Sequence, residues 1–214
     1  MIRKDLKEFL KTIPENVKVV AATKYADIED MKELYANGVK DFGENRADSF
    51  LEKYDKLNNL HPTWHFIGHL QRNKARAVGK RIDVLHSLDS IELAKILNST
   101  RDKPLDCFIE ISVNGEPNKY GLKMAEVDYF IFEVRRLKNI NLVGLMMMAK
   151  EGSTYEELLQ QFGALVTKRN ILEAKFDMKL PYLSMGMSDD YKVALKLGAT
   201  HLRLGRILYD GYKQ

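Results

Sequence analysis

Short β-rich runs alternate with longer stretches of helical spacing along the whole 214-residue chain. Consecutive parallel strands need a crossover segment between them, so this alternation predicts a parallel sheet with helices outside it. The predicted strands run from Val17 to Thr23, Val39 to Gly43, Trp64 to Gly68, Ile82 to His86, Leu105 to Val113, Asn141 to Met147, Tyr182 to Ser184 and Thr200 to Leu204. The intervening segments carry apolar residues at helical spacing, as in Ile28, Met31, Leu34 and Tyr35, which end at Gly38. Ile2, Leu6, Phe9, Leu10 and Ile13 share one face of a helix predicted over 2–13, which Pro14 stops. Thr154-Tyr-Glu-Glu157 reads as a capping box, and Ser188-Asp-Asp190 opens a helix ending at Gly198.

Eight such units are the number that closes a TIM (β/α)8 barrel, and the length lies near the lower end of that fold's range. We therefore expect an α/β chain folded as one single-domain barrel over residues 1–214. An open doubly wound sheet is the alternative, weakened by the lack of a G-x-G-x-x-G after the first strand. A 45% hydrophobic content supplies one sizeable core. Cys107 is the only cysteine, which excludes intramolecular disulfides and multi-cysteine zinc sites and fits a reducing cytoplasm. The net charge of +4 is interspersed. Its densest cluster, residues 71–76 with Lys80 and Arg81, reads as a solvated helix face, so no nucleic-acid partner is expected. The first ten residues lack a long apolar run, and the stretch Leu142 to Ala149 is far too short for a membrane span.

In a barrel of this kind, chemistry gathers at the carboxyl ends of the strands. Lys24 follows the first strand, where partial desolvation would favour a neutral, nucleophilic amine able to form a Schiff base with an aldehyde. A lysine that simply reaches solvent is the alternative. Ser184-Met-Gly-Met-Ser188 and Arg203-Leu-Gly205 occupy the loops after the last two strands, the usual phosphate site of this fold. There Gly186 permits close backbone approach, Ser184 and Ser188 offer hydroxyls, and Arg203 adds charge, while Asp189 and Asp190 suit a phosphate only if turned away. Ordinary turn glycines and capping serines would look the same. His65, His69 and His86 lack H-E-x-x-H spacing, so no metal is expected. Trp64 and Met146, Met147 and Met148 read as core or cavity lining, and Cys107 as a small buried residue.

Taken in order, Lys24, Phe42-Gly-Glu-Asn45, Trp64-His-Phe-Ile-Gly68, Leu70-Gln-Arg-Asn-Lys74, Leu183 to Asp190 and Arg203-Leu-Gly205 resemble the pyridoxal-phosphate homeostasis protein family across residues 17–211. The resemblance implies a barrel similar to the N-terminal domain of alanine racemase, a PLP fold of type III. It implies pyridoxal 5′-phosphate (PLP) held on Lys24, Asn45 near the pyridine ring, Arg203 at the ring or its nitrogen, and Ser184, Gly186 and Gly205 at the phosphate, with Met146 among the cofactor-binding residues. Many members have proline where this chain has His69, and a small hydroxyl residue where it has Arg206, which puts the phosphate contact at 206 in question. The N-terminal segment is also short, which would leave part of the barrel bottom less covered.

The implied role is a cytoplasmic, monomeric PLP carrier or regulator in vitamin B6 and amino-acid homeostasis, without substantial turnover. PLP-dependent apoenzymes are its candidate recipients. A PLP-dependent amino-acid racemase is the alternative. Racemases of the alanine type take a second base from an added C-terminal β domain, and this sequence ends about ten residues after its last strand. An arginine beside the ring nitrogen would also weaken PLP as an electron sink. A non-covalent phosphosugar-binding barrel is the third reading, and it leaves Lys24 without a role. Lys119 could offer a second amine near the entrance, or be a solvated surface lysine.

Overall fold

The computed structural model describes residues 1–113 and 120–211. The sequence candidate Lys119 lies outside the described residues. The strands are β1 Lys18–Ala22, β2 Asp41–Glu44, β3 Thr63–Phe66, β4 Val84–Leu88, β5 Leu105–Ser112, β6 Leu122–Lys123, β7 Ile140–Met146, β8 Tyr182–Ser184 and β9 His201–Leu204. The helices are α1 Leu6–Lys11, α2 Ile28–Ala36, α3 Ala47–Leu57, α4 Arg72–Gly79, α5 Ile91–Thr100, α6 Val127–Val134, α7 Tyr155–Phe176 and α8 Tyr191–Lys196.

All strand pairings among these elements are parallel. In the order β1-β2-β3-β4-β5-β7-β8-β9, with β9 returning to β1, eight strands close on themselves, and β6 is a two-residue addition beside the end of β5. The closed parallel barrel is the fold that the alternation predicts, and the open-sheet alternative falls with the β1–β9 pairing.

Strand parity sorts the side chains into two layers. Phe42, Trp64 and Phe66 point outward: Trp64 packs ring to ring with Phe42 and with Phe50 and Tyr54 of α3, and Phe66 with Phe50. The inward residues are unusually polar for a core that branched aliphatics normally fill. His65, His86 and His201 stand there with Phe108, which stacks on His86 at 4.5 Å. Gly144 is required at the β7–β8 seam, where an added Cβ would lie 2.0 Å from the Tyr182 carbonyl oxygen.

Several boundaries differ from the sequence reading. The N-terminal helix is confined to Leu6–Lys11, because Ile2 is drawn into an antiparallel bridge with Tyr209. The helix predicted from Ser188 starts only after Asp190, since the Asp190 carboxylate accepts from Met187 N at 2.6 Å and holds a turn there. The capping box forms as predicted: Glu157 N donates to Thr154 Oγ1 at 3.3 Å and Thr154 N to Glu157 Oε2 at 2.7 Å. Cys107 is buried, and burial pushes its thiol pKa up.

Candidate functional site

A cavity of about 900 Å³ opens at the carboxyl ends of β1, β2, β3 and β9, bordered by the segments after β7 and β8. Its wall includes Ala22, Lys24, Asn45, Ile67, Met148, Met187, Ser188, Arg203, Gly205 and Tyr209. That size and mixture, an apolar surface with a few convergent polar groups, is what small-molecule sites have in common.

Lys24 leaves β1 at a corner fixed from behind. Glu44, wholly buried at the end of β2, pairs with Lys53 of α3 at 2.7 Å. Lys53 Nζ also donates to the Thr23 carbonyl at 2.6 Å, Ser49 Oγ donates to Glu44 at 3.1 Å, and Thr23 Oγ1 donates to the same carboxylate. The residue before Lys24 is thus held by both its backbone and its side chain. The side chain of Lys24 itself is exposed, with Nζ 4.8 Å from the centre of the Tyr25 ring. The desolvation expected from its place after a buried strand is absent, because the chain turns outward beyond Thr23.

Arg203 is the buried cation of the site, 4% exposed. Its Nη1 donates to Ser184 Oγ at 2.6 Å and its Nη2 to the Met147 carbonyl at 2.8 Å. Burial pulls its pKa down to about 10, against the attraction of Asp190 and Glu110, so it stays charged at neutral pH. Glu110, also inside the barrel, is pushed up to about 7 by burial and by Asp89, and its Oε2 has no hydrogen-bond partner. Two more unpartnered buried atoms, Asn45 Oδ1 and the Tyr209 hydroxyl, belong to residues on the cavity wall.

On the same lining, Ser188 Oγ accepts from Gly205 N at 3.3 Å and Ile207 N at 3.2 Å. Asp190 is engaged with Met187 N, and Asp189 pairs with Arg206 at the surface, so both acidic side chains are turned to other partners.

Of the residues singled out in the sequence, Lys24, Asn45, Arg203 and Gly205 come together on one wall. Met146, Ser184 and Gly186 are buried and do not line the cavity. Met146 packs with Phe108 and Val143 inside the barrel, and Met148, two residues further on, reaches the wall instead. Ser184 lies beneath Arg203 as its hydrogen-bond acceptor. Gly186, at φ +97°, sits so close to Ala194 that a Cβ would come within 2.7 Å of that side chain, which makes it a packing and turn residue. His69 stacks on Tyr120 at 3.8 Å and lies 3.3 Å from Asp89, though its Nδ1 is not aligned for a hydrogen bond. No group of metal-ligating side chains occurs among the described residues. None of the described helices is long and apolar enough to cross a membrane. The sequence reading missed Tyr209 and the Glu44–Lys53 pair; an acidic strand end followed nine residues later by a lysine on the covering helix was the available signal for the pair.

The family "Alanine racemase, N-terminal domain" matches residues 1–213. A pyridoxal phosphate homeostasis protein of Vibrio alginolyticus is 36% identical over 203 residues, covering 92% of this chain and 87% of the relative. The structure of PipY from Synechococcus elongatus solved with PLP bound superposes with a TM-score of 0.88 at 30% identity, over 95% of this chain and 99% of that one. An alanine racemase from Corynebacterium glutamicum shares the fold, with a TM-score of 0.75 at 16% identity, over 97% of this chain and 61% of the racemase.

Proposed function

Because this chain belongs to the alanine racemase N-terminal domain family, and within it to the pyridoxal phosphate homeostasis proteins, we propose that it binds PLP and serves intracellular PLP homeostasis as a carrier. The single observation that carries the reading is one cavity wall presenting the Lys24 amine, the buried Arg203 guanidinium and the Ser188–Gly205 hydroxyl–amide contact. When bound, PLP supplies an aldehyde that condenses with a primary amine and a phosphate that needs hydrogen-bond donors.

The residues present fit that group. Lys24 offers an amine at the rim, on a corner fixed by Thr23, Glu44 and Lys53. Gly205 N and Ile207 N are donors now satisfied only by long bonds to one hydroxyl, and they can be turned to an anion. Asn45 Oδ1 and the Tyr209 hydroxyl are buried polar atoms for which a polar ligand would remove a desolvation cost. Arg203, charged and immobilised, would hold an adjacent ring nitrogen unprotonated, a setting suited to holding PLP more than to driving carbanion chemistry on it. The relatives above 30% identity carry the homeostasis name, so the racemase alternative is not favoured. Transfer to PLP-dependent apoenzymes by a cytoplasmic monomer is the working form of this proposal; an exposed amine at a cavity rim is accessible for loading and release.

Titration with PLP, followed by visible absorbance, tests it. Wild type is expected to develop a stoichiometric visible band that borohydride reduction fixes on Lys24, located by peptide mass spectrometry, and Lys24→Ala is expected to lack it. A wild-type protein without the band would overturn the covalent reading and leave a phosphosugar-type barrel as the better account.

A further inference from the structure

Five side chains from five different strands form a continuous hydrogen-bonded line through the barrel interior. At the amino end of β2, Asp41 Oδ1 lies 2.9 Å from His65 Nε2. His65 Nδ1 lies 2.9 Å from His86 Nε2, His86 Nδ1 2.7 Å from Ser184 Oγ, and Ser184 Oγ 2.6 Å from Arg203 Nη1. His65, His86 and Ser184 are completely buried, so no solvent intervenes.

The donor count gives this line a direction. A guanidinium only donates, so Ser184 must accept from Arg203. Burial raises the Asp41 carboxyl, but the His65 bond and charge together with Lys18 outweigh it, so Asp41 stays ionised and only accepts. His65 therefore carries its proton on Nε2. His86 has one proton to place, since burial and the neighbouring charges hold it neutral. With that proton on Nε2, His86 donates to His65 and accepts the Ser184 hydroxyl proton, and every group is satisfied. With it on Nδ1, Ser184 would accept twice and its own proton would have no acceptor. The remaining charged and titratable neighbours are Lys18 at 3.6 Å from Asp41, His201 with its ring 6.3 Å from His65 and 5.8 Å from His86, and Glu110 and Asp190, which attract Arg203.

We propose that Asp41, His65, His86 and Ser184 are positioning residues, a one-directional hydrogen-bond relay that aims the Arg203 guanidinium at the cavity from the opposite end of the barrel. Its consequence for the ligand rests on the function proposed above; the relay itself does not. In such a chain each bond polarises the next, so the carboxylate at one end is felt at the guanidinium at the other.

Nitrogen-15 NMR of the ligand-free protein tests this. In wild type both His65 and His86 are expected to show a pyrrole-type Nε2 and a pyridine-type Nδ1. In Asp41→Asn the ring nitrogens of His86 and the Nε–H of Arg203 are expected to shift along with those of His65, although residue 41 touches neither. Wild-type His86 protonated at Nδ1, or changes in Asp41→Asn confined to His65, would overturn the relay. If Asp41→Asn does not fold, Ser184→Ala reads the line from the other end: His65 must shift, and an unmoved His65 overturns it. Since no ligand is present, failure of PLP to bind would count only against the proposed function. With PLP loaded, Asp41→Asn is expected to displace the visible band while Lys24 remains the modified residue.

Discussion

Beneath the cavity, Asp41, His65, His86, Ser184 and Arg203 are joined by contacts of 2.6–2.9 Å. Around the cavity, Asn45 Oδ1 and the Tyr209 hydroxyl have no partner, and Lys24 stands in solvent. Both regions place polar groups on the same barrel, yet only the lower one completes its hydrogen bonds within the protein. Polar groups satisfied from within hold the scaffold, and removing one member leaves another buried and unpaired. Polar groups left unsatisfied at the mouth contribute little to the fold and keep their bonding capacity for a ligand. Substitutions should therefore separate the regions: loss of stability below and behind, loss of binding at the mouth.

The largest effect is expected behind Lys24. Lys53→Met would leave Glu44 buried at 0% exposure with only the Thr23 and Ser49 hydroxyls. Breaking a buried pair from one side typically costs about 3–5 kcal/mol. Urea denaturation should show a loss of that size, accompanied by weaker PLP binding as the Thr23 corner loosens. A loss below about 1 kcal/mol would mean the pair behaves like a solvated surface bridge and the corner is held by the backbone alone.

The pH dependence of stability comes next. Burial lowers His86 well below its usual range and brings His201 to about 3. Both are neutral when folded but take up protons near pH ~6.5 when unfolded. The unfolded state thus binds more protons over this window, and stability falls as pH drops from about 6.5 towards 3, by about 1.4 kcal/mol per pH unit for each histidine. Glu110 acts in the opposite sense. Its folded pKa of about 7 lies above the unfolded one, so stability falls as pH rises from the ordinary carboxylate range through 7. Glu110→Gln removes that ionisation and should stabilise the protein by about 1–3 kcal/mol at pH 8 while leaving pH 4 nearly unchanged, as read from thermal melts at the two pH values. Equal effects at both would show that Glu110 is solvated when folded, and the satisfied interior would then end below it.

The sequence made the scaffold legible because a barrel repeats one local pattern, a buried strand followed by an amphipathic helix, and each repeat can be read alone. It also made Lys24, Asn45, Arg203 and Gly205 legible, since the fold alone puts strand ends at one mouth. What it left obscure depends on depth and on closure. Met146 and Met148 are two residues apart, and only the second has cleared the barrel rim. Ser184 ends an inward-facing strand, but one layer below the cavity, where the shape of Arg203 decides its partner. The relay could not be read, because its members lie 21, 24 and 98 residues apart and meet only when β9 pairs with β1 and the ring closes. Isolated histidines without motif spacing look structural in sequence, and these are structural in the sense that they complete one another.

The smallest expected stability effects are at the mouth, and they sharpen the comparison most. Asn45→Ala removes a buried oxygen that has no hydrogen bond to lose, and Lys24→Ala removes an exposed amine whose one ring neighbour, Tyr25, is itself 83% exposed. Neither should destabilise the ligand-free protein by more than about 0.5 kcal/mol, and loss of the unpartnered Asn45 oxygen can only relieve its desolvation cost. Saturating PLP should then raise the melting temperature of wild type, because a ligand bound only to the folded state stabilises it by mass action. Lys24→Ala should gain almost none of that increment and Asn45→Ala only part of it. A variant that destabilises the ligand-free protein by more than about 1 kcal/mol would place its residue on the scaffold side of the division. A variant that keeps the full PLP-induced shift would remove that residue from the binding wall. Either result would redraw the line between polar groups that hold this barrel together and those that face its ligand.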